Sequence, residues 1–120
     1  MSKRNIVHVE IPAANVGEAG SFYQQLFGWK LQHVPAMNYT MWEDGAGGGG
    51  GFTEVNAGNP VGQVLVYIAS DDIEADLKRV VELGGTVLQP KMEIPDTGWF
   101  GVFKDPTGNV LAVYTDLNPS

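Results

Sequence analysis

The second half of this chain repeats the first. Sliding one half over the other by 57 residues aligns Val16 with Ile73, Tyr23 with Val80, Leu26 with Leu83, Gly28 with Gly85 and Leu31 with Leu88, which marks one supersecondary unit written twice. In the first copy, NIVHVEIPA alternates as a β-strand does, with Val7, Val9 and Ile11 on one face and Ile6, His8 and Glu10 on the other. NVGEAGSFYQQLFG then supplies Asn15 as N-cap, Glu18 three residues on, apolar side chains at helical spacing and Gly28 as a left-handed C-cap. The second copy has the same syntax: QVLVYIAS as a strand, DDIEADLKRVVELGG as a capped helix and TVLQP as a strand.

Beyond the second strand the offset grows to 61, where WEDGAG (42–47) lies over FKDPTG (103–108). Asp105, Pro106 and Gly108 suit a type I turn, so WFGVFKDPTGNVLAVYT reads as a β-hairpin. Each half is therefore predicted to be βαβββ. At 120 residues the chain has room for one domain, 1–120, with module one over about 5–56 and module two over about 62–116. A four-stranded sheet with one helix on one face leaves its other face uncovered. The expected fold is thus α+β: two tandem βαβββ modules whose curved mixed sheets enclose a central cleft. On that reading Val7, Val9 and Ile11 pack on the helix, and His8 and Glu10 point into the cleft.

Charge and composition narrow the partners. A formal net charge of −7, with no Lys/Arg cluster, opposes nucleic acid and anionic membranes. There is no cysteine, so disulfides and thiol chemistry are excluded. The start, MSKRNIVHVE, carries no apolar segment typical of a secretory leader, and VLVYIA is too short to span a bilayer. A cytoplasmic location is expected.

DGAGGGGGFTEV, 44–55, contains five consecutive glycines, Gly47 to Gly51. It can be written as G-x-G-x-x-G, but that fingerprint needs a helix N-terminus to follow, and FTEV does not start one. No Gly-Lys-Ser/Thr closes a phosphate loop, and no serine sits in a G-x-S-x-G elbow. The repeat instead places Gly47 over Gly108, and Gly48 to Gly51 over Asn109, Val110, Leu111 and Ala112. The run is predicted to be the turn and fourth strand of module one. Glycine in a strand signals close approach by another group, which we expect to be a bound molecule or a partner's backbone.

The paired βαβββ syntax, together with HVEIPA…FYQQLFGW, LGG…P…EIP and GWFGVFKDPTGNVLAVY, resembles the vicinal oxygen chelate superfamily of glyoxalase I, bleomycin-resistance proteins and extradiol dioxygenases. The likeness covers nearly the whole chain and points to small glyoxalase-like bacterial members. It implies a divalent metal held by a His on the first strand of a module and a Glu or Gln on the last. His8 matches the first position, but its mate falls on Leu65, and the last-strand positions fall on Ala112 and Gly51. One donor of four remains, so no metal or other cofactor is expected. The weak candidates for an alternative site are His8, Glu10 and Glu54.

The aromatics Tyr39, Trp42, Tyr67, Trp99, Phe103 and Tyr114 lie on predicted strands and could line a cleft or fill a core. Trp42, Tyr67 and Trp99 are preferred for a ligand, Gly51 is expected to make room for it, and His8 and Glu10 are expected to orient it. Glu10 is the candidate general base. The reading is a metal-free, bleomycin-resistance-like protein that binds a small organic molecule, and the resemblance implies a homodimer. One alternative is a divalent-metal-dependent lyase, isomerase or dioxygenase using His8 and Glu10. The other is an interaction module whose cleft is filled by its own side chains.

Overall fold

A computed structural model describes residues 4–117. In chain order the elements are β1 (Ile6–Pro12), α1 (Val16–Phe27), β2 (Lys30–Val34), a 3-10 turn (Pro35–Met37), β3 (Tyr39–Glu43) and β4 (Gly49–Thr53), followed by β5 (Leu65–Ala69), α2 (Ile73–Glu82), β6 (Thr86–Ile94), β7 (Gly98–Lys104) and β8 (Val110–Asp116). βαβββ is thus written twice. The cap chemistry is as expected at both helix starts, with the Asn15 side chain accepting from the Glu18 N–H and the Asp72 side chain from the Ala75 N–H. Gly28 ends α1 at φ 75°. The glycine run is strand β4, paired parallel to β1 and antiparallel to β3.

The sheet arrangement corrects the expected fold class. The strands form one eight-stranded mixed sheet in the order β2-β3-β4-β1-β5-β8-β7-β6, not two curved sheets around a central cleft. The physical reason lies in β1. Its ladder to β4 uses one edge only, and its other edge carries N–H and C=O groups that a further strand satisfies.

The chain divides into two compact units, His8–Leu65 and the residues on either side of that segment. In the His8–Leu65 unit, one sheet face packs under α1. Trp42 stacks on Trp29 with centroids 4.0 Å apart, Tyr23 stacks on Trp29 and Phe52, and Leu31 closes on Gly20. In the other unit Ile73 and Leu77 of α2 pack on Val113, joined by Val87, Trp99 and Phe103. Gly101 on β7 lets α2 sit close, since a Cβ there would lie 2.8 Å from Leu77.

Candidate functional site

Strand alternation assembles a polar group on the face of the His8–Leu65 unit turned away from α1. Side chains two apart share a face, so His8 and Glu10 project together. The parallel register sets Glu10 beside Gly51, and the antiparallel one sets Met41 beside Gly51. Tyr39, two residues from Met41, shares that face. It enters β3 directly after Asn38, whose left-handed backbone (φ 48°) ends the 3-10 turn.

The three side chains close a triangle of hydrogen-bonding contacts. The Tyr39 hydroxyl donates to Glu10 Oε1 at 2.6 Å, and His8 Nε2 lies 2.9 Å from Glu10 Oε1 and 2.9 Å from the Tyr39 oxygen. With the carboxylate ionised, the tyrosine proton is committed to Oε1. Both histidine contacts then close only if Nε2 carries hydrogen. Glu10 is 7% exposed, and its second oxygen, Oε2, is buried with no hydrogen-bond partner among the described residues. So is Thr53 Oγ1. Buried polar atoms are normally paired, so two orphans on one sheet face single out this place.

Gly51 is explained by the same group. A Cβ at position 51 would overlap the Tyr39 hydroxyl and ring, while one at Gly50 would meet the Val9 carbonyl and Trp42. The close approach expected of a ligand is made by the chain's own side chains and backbone. Tyr39 occupies the space beside the last-strand position where the family resemblance implies a metal ligand.

The donors present do not fit a chelated divalent metal. Gly51 offers no side chain, Ala112 is fully buried, and no group of three or more His, Asp or Glu converges to hold an ion among the described residues. Glu54, exposed just beyond β4, does not join His8 and Glu10 in such a group.

The remaining candidates separate by face. Trp42 points under α1, and Trp99 and Phe103 pack on the α2 core, so these three rings lie on the helix-covered faces. Tyr67 and Tyr114 meet edge to face with centroids 6.5 Å apart, and Phe100 lies 6.5 Å from Tyr67. The Tyr114 hydroxyl donates to Asp116 at 2.8 Å; burial first, and then that carboxylate, push its pKa well above the usual phenol range. Thr53 was missed. Its only sequence signal is its place two residues past Gly51, on the Glu10 face.

Comparison with known proteins places these observations. The model of the Glyoxalase/Bleomycin resistance protein/Dioxygenase superfamily matches residues 5–113. A glyoxylase-like domain-containing protein of Didymella fabae is 32% identical over 116 residues, 89% of this chain and 90% of the relative. CFP32 of Mycobacterium bovis, provisionally named a glyoxylase, is 29% identical over 113 residues, 88% of this chain. The match spans less than half, 43%, of CFP32. Among solved structures, protein BH1468 of Bacillus halodurans C-125 has the same fold, with a TM-score of 0.73 over 99% of both chains at 12% identity.

Proposed function

The chain belongs to the glyoxalase/bleomycin resistance protein/dioxygenase superfamily, and from that premise we propose that it binds a small organic molecule through hydrogen bonds, not through a chelated metal. The binding face is the His8, Glu10, Tyr39 and Gly51 face of the His8–Leu65 unit. One observation carries this reading: Tyr39 fills the space at Gly51 and is tied to both His8 and Glu10, so a protein-only polar cluster stands where the family's chelate would. His8 and Tyr39 hold the carboxylate in one orientation. In any proton transfer at this face, Glu10 is the base we assign.

The homodimer, the cytoplasmic location and the lack of nucleic-acid or membrane partners belong to the same proposal. The charge of −7 supports the last of these, and no described helix is long and apolar enough to cross a membrane.

Two measurements test the reading. Thermal shifts against a library of small aromatic and polar molecules should yield stabilising ligands whose effect is lost in Tyr39→Phe and His8→Ala. Elemental analysis of protein purified without chelator should find no stoichiometric divalent metal. A metal that His8→Ala removes would establish the metal-dependent alternative, and a library without a single stabilising ligand would favour the interaction module.

A further inference from the structure

We infer that the ligand of this face presents a hydroxyl or N–H donor to Glu10 Oε2, a hydroxyl also accepting from Thr53 Oγ1, and that it is neutral or cationic. The inference rests on the binding reading above and specifies its chemistry. Glu10 uses one oxygen twice and the other not at all. Tyr39 and His8 Nε2 both converge on Oε1, while Oε2 is sealed from solvent without a donor. Leaving a carboxylate oxygen desolvated and unpaired is costly, and a donor from outside the chain removes that cost once the groups that cover Oε2 move aside to admit it. Thr53 Oγ1 is the second orphan. β1 and β4 run parallel with Glu10 beside Gly51 and Pro12 beside Thr53, so Glu10 and Thr53 are diagonal neighbours on one face. A hydroxyl on the ligand can give its proton to Oε2 and accept one from Thr53. An N–H can do the first.

Charge selects further. Between residues 8 and 65 there are five carboxylates, Glu10, Glu18, Glu43, Asp44 and Glu54, against Lys30 alone. A carboxylate or phosphate on the ligand would meet this excess of negative charge, with Lys30 the one ammonium among those residues to offset it.

Matched pairs test this: phenol against anisole, benzyl alcohol against benzyl methyl ether, and acetanilide against N-methylacetanilide, titrated by NMR, with benzoate as the anion. We expect the donor-bearing member to bind about tenfold tighter, the ratio worth one charge-assisted hydrogen bond, and benzoate to bind more weakly than benzyl alcohol. Glu10→Gln gives a directional result. Tyr39 and His8 keep the amide oxygen at the Oε1 position, which sets the NH₂ where Oε2 was. The donor preference should then fall to within about twofold. Thr53→Val, which keeps the side chain's shape, should cut the hydroxyl preference about threefold and serves if the Glu10 variant fails to fold.

Equal binding of ethers and donors, an undiminished donor preference in Glu10→Gln, an undiminished hydroxyl preference in Thr53→Val, or tighter binding of benzoate overturns the inference and leaves the binding reading standing. Binding of no member of any pair overturns both.

Discussion

A Cβ at position 51 has nowhere to go while Tyr39 keeps its place, since it would overlap the hydroxyl that holds Glu10. Gly51→Ala should therefore destabilise the protein by about 1–3 kcal/mol, the usual range for overpacking, because the ring must leave its hydrogen bonds. In a Tyr39→Ala background the three atoms nearest to that Cβ are gone, and alanine loses less backbone entropy than glycine. There it should be neutral or stabilising by about 0.5 kcal/mol. Urea denaturation of the four proteins measures the coupling, and additive effects would show that Tyr39 is not what excludes the side chain. The repeat registers Gly51 with Ala112 and locates it in a strand, and both are in β4 and β8. That the neighbour would be Tyr39 follows from the β3–β4 register, which the spacing of WEDGAG does not determine.

At the scale of elements, both helices begin at capping residues readable in the sequence, because a cap is a local contact between residues three apart. The tie that anchors α2 was not readable. Arg4 donates to Asp76 at 2.6 Å and Ser70 donates to the other Asp76 oxygen at 2.6 Å, contacts that join residues 72 apart and six apart. Burial alone would raise the Asp76 pKa, but the hydrogen bonds from Arg4 and Ser70, with the Arg4 charge, outweigh it and hold the carboxyl below its usual range. A folded-state value lowered relative to the unfolded chain stabilises the fold above the unfolded value, near pH 4, and that contribution is lost as pH falls through the folded value. Arg4 is 54% exposed, so solvent screening limits the pair to about 1 kcal/mol or less. Asp76→Asn should lower the urea midpoint at pH 7, and its gap from wild type should close below about pH 4. A gap of constant size down to about pH 2 would mean that the substitution acts through packing and not through charge.

The repeat, legible as sequence, does not make the two units chemically alike. Where the first carries His8, Glu10, Tyr39 and Gly51, the same offsets lead to Leu65, Tyr67, Phe100 and Ala112, and only the first set forms a polar triangle. That loss of symmetry could be read position by position. The joining of eight strands in one order could not, because edge pairing depends on backbone groups that every sequence has. The apolar spacing of α1 implies a covered stripe, yet Phe22, Leu26 and Phe27 are each more than half exposed, and Gly20 is the buried residue of the helix. Three large apolar side chains within two turns form a patch that a solvated monomer has reason to cover. The proposed homodimer gives that patch an occupant in a second copy. Sedimentation equilibrium should then return twice the 12.9 kDa chain mass, and Phe22→Glu with Leu26→Glu should shift the protein to monomer while leaving its circular dichroism unchanged. Carboxylates at those positions would face one another across a self-complementary interface, where like charges repel. A wild-type monomer at every concentration would remove the dimer, and a dimer indifferent to both glutamates would move it to another surface.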